Sequence, residues 1–413
     1  MTARRLSDKE KLDWLQLIRC ENIGPRTFRA LIQRYGDAGA ALRALPELIR
    51  QVIREGKGRP VKLASRESAL REWEQAQKFS ARFIALPEPD YPPGLRAIDS
   101  PPPLIAVRGD VELLRKPMVA LVGSRNASAS GLAMTERLAL GLGAAGHVVV
   151  SGLARGVDAA AHKASLATGA VGVLAGGLDR PYPPENLALL DEMAERGAVL
   201  SEMPFGYEPR GRDFPRRNRI VSGLSLATVV VEAARRSGSL ITARFAVEQG
   251  REVFAVPGSP LDPRAEGTND LIRDGALLCA RAQDVIDAVA PLAARGATGY
   301  DLLFEPEPAS YDGKLWDEWD WADVQKPVAH SPAAPFVVED EDAAPGEPPS
   351  PATGDEEGAL EKILRLLGPA PVAVDDLARA CGCAVRDIRL ALQELEIDGR
   401  IERQGGDRVA LIG

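Results

Sequence analysis

Four short stretches of this 413-residue chain bring glycine, hydroxyl side chains and arginine together where an apolar run gives way to a helical one. Gly123-Ser124-Arg125-Asn126 follows MVALV and leads into ASASG, and Ser151-Gly152-Leu153-Ala154-Arg155-Gly156 follows HVVV. Phe214-Pro215-Arg216-Arg217-Asn218-Arg219 sets three arginines within four residues, beside an aromatic and just before a helix. Glu232 is followed by Arg235-Arg236-Ser237-Gly238-Ser239-Leu240-Ile241-Thr242, a hydroxyl-rich helix start. The chemistry these residues suit is phosphate binding: glycine lets backbone N–H groups approach, a helix N-terminus adds partial positive charge, and guanidinium adds a bidentate ion pair. An aromatic beside cations also suits single-stranded nucleic acid, whose bases stack while the cations track phosphates. One such turn is what many strand-to-helix connections look like. Four of them point to a polyanion in an extended groove rather than one nucleotide in a pocket.

Catalytic groupings are harder to find. Asp158 and His162 lie four apart and share a helix face. With no serine or cysteine tied to them by a nucleophile motif, they read as a helix-capping aspartate with a histidine packed behind it. His147 starts a strand and His330 lies far along the chain, so the three histidines do not assemble a metal cluster. Cys20, Cys279, Cys381 and Cys383 lack CxxC pairing, which fits neither a disulfide framework nor a zinc site. The dinucleotide reading fails as well: GSRNAS is not GxGxxG, and the following strand ends in SGLARG rather than in a ribose-binding acid. No catalytic residue, metal or cofactor is expected.

These turns need a scaffold. From Pro117 onward, strand-length apolar runs (MVALVG, HVVVSG, AVGVLAG, AVLSE, LATVVVEA, EVFAVPG, ALLCA) alternate with amphipathic helical stretches. Strands without polar alternation are buried on both faces, and helical crossovers make them parallel. The fold class is α/β, a doubly wound Rossmann-like parallel sheet, in which ligands bind outside the carboxyl ends of the strands. Residues 1–85 read as a helical module, 86–293 as the α/β domain, 294–356 as a linker and 357–413 as a winged helix. Residues 300–357 carry 16 acidic and 2 basic side chains, a balance of −14, so against a chain total of −8 the remainder carries +6. That segment is too charged and proline-broken to bury a core and is expected to be a disordered linker. Its Trp316, Trp319 and Trp321 fit either a docking motif or transient packing. The start of the chain lacks a secretory apolar region and no run reaches membrane-spanning length, so a soluble cytoplasmic protein is expected. In the last segment, EGALEKILRLLG, DDLARACG and VRDIRLALQELEIDG precede two short strands around Gly405-Gly406. Arg386 and Arg389 share their helix with Asp387, Glu394, Glu396 and Asp398, so no base-reading role is assigned to it.

Residues 104–292 resemble the DNA processing protein A family (DprA, also called Smf). VGSRNAS, SGLARGVDAAAHKASL, LAGGLDRPYPPEN, SEMPFG, FPRRNRIVSGLS, VVEAARRSGSLITARFAVEQGREVFAVPGS and GTNDLIRDGA stand in that family's order and spacing. The resemblance implies an extended Rossmann fold that binds single-stranded DNA, protects incoming DNA in natural transformation, loads the RecA recombinase and acts as a homodimer. Carried over by position, Arg125, Arg216, Arg217 and Asn218 correspond to backbone-binding residues, Gly123 and Ser124 line the phosphate site, and Phe214 is a candidate for base stacking. Arg216 stands where lysine is also common in the family. Ile23-Gly24-Pro25-Arg26 resembles a helix-hairpin-helix turn, within a module that is sterile-alpha-motif-like in the family, and receives no DNA role. A second class remains: a nucleotide-binding Rossmann enzyme such as a nucleoside monophosphate phosphoribohydrolase. Its PGGxGTxxE motif is absent; AGGLD and VEAARRSGSLIT stand instead.

Overall fold

The computed structural model describes residues 4–54, 62–294, 359–398, 400–404 and 407–412. Residues 295–356 of the expected acidic linker, with Trp316, Trp319, Trp321 and His330, lie outside the described residues, as do Gly405 and Gly406. Four helices open the chain: α1 (Asp8–Ile18), α2 (Pro25–Tyr35), α3 (Ala38–Arg54) and α4 (Arg66–Lys78). A capping box starts α1, the Glu10 N–H donating to Ser7 Oγ (3.3 Å) and the Ser7 N–H to Glu10 Oε2 (2.8 Å). Leu15 and Leu17 are fully buried, and Trp14 packs on Phe28 at 4.8 Å between centroids. Each leucine contributes about 1.5–3 kcal/mol by burial, which is what a helix this short needs from its neighbours.

The strands are β1 (Ala81–Ala85), β2 (Leu104–Gly109), β3 (Met118–Val122), β4 (Val148–Ser151), β5 (Ala170–Val173), β6 (Ala198–Ser201), β7 (Ala227–Val230), β8 (Glu252–Ala255) and β9 (Leu277–Leu278). They form one sheet in the order β1-β2-β6-β5-β4-β3-β7-β8-β9. From β6 to β9 the pairs are parallel, with Val119 opposite both Val149 and Ala227. β2 runs antiparallel to both β1 and β6, so the sheet is not parallel throughout. Residues 81–85, read as the end of the helical module, form an edge strand of this sheet. After the short α5 (Pro93–Arg96), the main helices are α6 (Ala129–Ala144), α7 (Val157–Ser165), α8 (Leu187–Arg196), α9 (Asp213–Leu224), α10 (Gly238–Glu248), α11 (Glu266–Arg273) and α12 (Ala282–Ala294). Alternating residues divide the sheet's faces. Val119, Leu121 and Val149 join the core under α6, α7 and α12, while Met118, Ala120 and Val150 join the core under α9 and α10. From β3 the chain crosses to β4 on one side and later returns to β7 on the other, which opens a crevice at the carboxyl ends of β3 and β7.

The last segment is a winged helix of α13 (Ala359–Leu366), α14 (Val374–Cys381) and α15 (Val385–Ile397), with β10 (Val372–Ala373), β11 (Ile401–Gln404) and β12 (Arg408–Leu411) in the order β10-β12-β11. It rests on the first turns of α6: Ala129 belongs to its core and Leu132 packs against it. Arg264, bound to Asp262 by two 3.0 Å contacts, donates to the carbonyls of Arg365 (3.3 Å) and Leu367 (3.0 Å) at the end of α13. A cation there complements the negative end of the helix dipole.

Candidate nucleic-acid interface

The turns after β3, β4 and β7 are bonded to one another. The Ser124 N–H donates to the Glu232 carbonyl (2.7 Å), and the Val157 N–H donates to the Ser124 carbonyl (3.2 Å). Gly156 has φ +69°, and a Cβ there would collide with the Ser124 and Arg125 carbonyls. Ser124 Oγ accepts from the Asn126 N–H (3.1 Å), which tightens the turn carrying Arg125. The crevice end of the sheet is therefore one hydrogen-bonded unit and not three separate loops.

The N-terminus of α6, expected to present partial positive charge, is filled from within. Glu232 accepts from the Ser128 N–H (2.9 Å) and from the Ser128 hydroxyl, while Ser128 Oγ caps the Gly131 N–H (3.0 Å). Burial raises the pKa of this carboxyl, against the pull of the Ser128 bonds. Asp158 acts in the same way at the end of β4, accepting from the N–H groups of Gly152 (3.1 Å) and Ala154 (3.3 Å). It is a loop-organising cap. His162 behind it is fully buried, and burial pushes its pKa down to about 3. Arg155 is exposed on the turn that Asp158 holds.

Phe214, Arg216, Arg217 and Asn218 lie in the first turns of α9 itself. The structure separates the two central arginines from open solvent to different degrees. Arg217 is 6% exposed, and its Nη1 donates to the carbonyls of Gly152 and Val173 at the ends of β4 and β5. A Cβ on Gly152 would displace that guanidinium, so glycine here leaves room for Arg217 to reach the two carbonyls. Burial pushes Arg217 down to about 10, with Asp158 favouring and Arg125 opposing its charge. It stays protonated at neutral pH, a buried cation beneath the crevice. Arg216 Nε donates to Glu202 Oε1 (3.0 Å), and Arg219 binds the other oxygen (2.6 Å). Burial opposes ionisation of Glu202, but the two arginines outweigh it and hold the carboxyl below its ordinary value. Asn218 Nδ2 reaches the Gly238 carbonyl (3.2 Å), tying α9 to the start of α10, where Ser237 Oγ meets Ser239 Oγ at 2.7 Å.

Above this layer the Arg125 guanidinium lies over the Phe214 ring at 5.4 Å, and the Tyr182 ring meets Phe214 at 5.6 Å with planes 65° apart. Sequence reasoning missed Tyr182. The signal was its position in LDRPYPPEN, after a strand and before a helix, where a sheet of this kind places ligand contacts. Gly123, Ser124, Arg125, Arg155, Phe214, Arg217, Asn218, Ser237, Gly238 and Ser239 thus come from turns and helix starts at one end of the sheet. Arg216 turns to Glu202 at the end of β6. Among the described residues no group of His, Cys, Asp and Glu is arranged to hold a metal ion, and no helix is long and apolar enough to cross a membrane.

Comparison with known proteins gives these elements a common source. The family model for DNA recombination-mediator protein A matches residues 82–290. A DprA-like N-terminal helix-hairpin-helix domain matches 8–75, and a DprA winged helix domain matches 347–407. The chain is 31% identical to Protein Smf of Synechocystis, over 98% of this chain and 99% of that one. It is 45% identical to DNA processing protein DprA of Bacillus subtilis, over 49% of this chain and 70% of that one. Its fold matches the X-ray structure of DNA processing protein A from Streptococcus pneumoniae with TM-score 0.50 and 33% identity, covering 63% of this chain and 97% of that one. With an α/β sheet, a helical N-terminal module and a winged helix that each match the corresponding model, the chain belongs to the DNA processing protein A (DprA/Smf) family.

Proposed function

We propose that this protein is a cytoplasmic single-stranded DNA-binding protein, without enzymatic activity of its own, that protects incoming DNA and loads the RecA recombinase during natural transformation or recombination. The observation that carries DNA binding is the bonded unit at the carboxyl end of the sheet, where Arg125, Arg155 and the start of α10 converge over the buried charge of Arg217. Gly123 and Ser124 set the tight turn that presents Arg125, Arg125 and Arg155 supply charge, and Ser237, Gly238 and Ser239 supply hydroxyls and amides. Arg217 and Asn218 act from below by holding α9 against β4, β5 and α10. Arg216 adds charge at the rim, since 42% of its side chain remains exposed beside Glu202. Family kinship supports the recombination role. For the homodimer, support comes from β9, an edge strand whose Leu277 (43%) and Leu278 (52%) are exposed. The phosphoribohydrolase reading is not favoured, because Glu232 is spent on Ser128.

The test is single-strand binding as a function of salt. Affinity should fall steeply with added salt, and Arg125→Ala should weaken binding to all sequences alike while reducing the log–log salt slope by about 0.7. Unchanged affinity and slope in Arg125→Ala would remove this crevice as the binding site.

A further inference from the structure

We propose that Tyr182 is the surface on which an unpaired base stacks, and that it supplies much of the preference for single over double strands. The inference rests on the DNA-binding reading above and assigns a residue which that reading leaves out. Phe214 is the aromatic the motifs single out, yet the Arg125 guanidinium covers its ring and Tyr182 packs against it, leaving it only partly exposed. Tyr182, in contrast, is 51% exposed. An aromatic ring that is half in water at the crevice end of the sheet, one ring away from an arginine, is out of place as core packing and well placed as a platform.

The platform is held firmly. Its loop is anchored on one side by Asn186 Nδ2, which donates to the carbonyls of Leu153 (2.9 Å) and Ala154 (3.0 Å) in the turn bearing Arg155. On the other side Asp179 Oδ1 accepts from the Gly206 N–H (2.7 Å), and the Gly177 N–H donates to the Tyr207 carbonyl (2.9 Å). Prolines flank it at 181 and 183, which narrows the backbone further. A ring ordered in advance binds without losing much rotamer freedom, so most of its contact energy reaches the affinity.

The ligand follows from the chemistry. A π-face one ring away from a guanidinium accepts any base whose own face is open, while the cation takes a nearby phosphate of the same strand. In a duplex both faces of each internal base are already stacked, so the ring has nothing to meet and only the phosphate contacts remain. Tyr182 thereby converts an electrostatic crevice, which would accept either form, into one that favours the single strand.

The experiment uses the full chain and three probes: a mixed-sequence 20-mer single strand, the same length of abasic strand, and the matching duplex, each titrated at low salt by fluorescence anisotropy. Tyr182→Ala should weaken the single strand by about 10- to 100-fold, in line with the loss of one stacked base. Abasic strand and duplex should bind it as they bind the unaltered chain, and Tyr182→Trp should restore the single strand. Equal loss on base-bearing and abasic strands, or no loss on either, overturns the stacking role. Arg125→Ala separates phosphate binding from stacking, because it should weaken all three probes. If the unaltered chain binds none of them, the crevice reading itself fails and the stacking role falls with it. Tyr182 is exposed, so its replacement should leave the melting temperature within a degree or two, which a thermal scan checks.

Discussion

At the scale of single residues, the candidate site spends its carboxylates on structure and leaves its charge to arginine. Asp158 holds two loop amides, Glu232 holds Ser128, and Glu202 holds Arg216 and Arg219. His162 has a measurable consequence for stability. Its pKa falls from 6.5 to about 3 through burial. The unfolded chain therefore takes up a proton near 6.5 while the folded site refuses it, so folding stability should be lost as the pH drops below that point, by up to about 1.4 kcal/mol per pH unit from this group. Above it the group contributes no slope. Denaturation midpoints between pH 6.5 and 5 should accordingly fall less steeply in His162→Leu than in the unaltered protein. Parallel curves would mean that the imidazole is not kept neutral.

At the scale of elements, α6 and α9 divide the work. The N-terminus of α6 is closed by a side chain from beyond β7, whereas α9 presents its first turns to the crevice and locks them from below through Arg217 and Asn218. Glu232→Ala should destabilise the domain by about 1.5–3 kcal/mol through the loss of hydrogen bonds to a charged acceptor, equivalent to several degrees in a thermal melt. It should not weaken single-strand binding, because it removes a negative charge near the proposed phosphate path. A variant that stays as stable as the original but loses DNA would place Glu232 in the binding surface instead. The start of α10 was legible from RSGSLIT, since a hydroxyl before a helical run is a local signal. The closure of α6 was not, since Ser128 and Glu232 lie 104 positions apart.

Taken as a whole molecule, the protein places modules on both flanks of one sheet. Arg19 joins Glu72 (2.8 Å) to the Glu202 carbonyl (3.2 Å), linking the helical module to the strand end that also anchors α9. On the other flank, Arg264 clamps the end of α13 and Arg379 faces Glu136 of α6 at 3.6 Å. Arg264→Ala should loosen the winged helix specifically. Hydrogen exchange in α13 and α14 should quicken by about tenfold, as expected for losing one to two charge-assisted bonds, with the protection of β3 and β7 unchanged. Equal protection in α13 with and without the clamp would show that apolar contact with Ala129 and Leu132 suffices.

The alternation of strands and helices from Pro117 onward, the glycine–arginine turns at the strand ends and the winged helix were determined by the sequence alone, because hydrophobic period and turn chemistry are local and survive being read in one dimension. Tertiary structure decided what the turns do to each other. The antiparallel direction of β2 is invisible in LIAVRG, since an apolar run carries no direction. That Arg217 lies buried against Gly152 and Val173 while Arg125 covers Phe214 depends on which strand ends a helix crosses. Tyr182 joins the site for the same reason. Its place after a strand puts it at the ligand end of the sheet, but only long-range packing sets its ring against Phe214 in the first turn of α9.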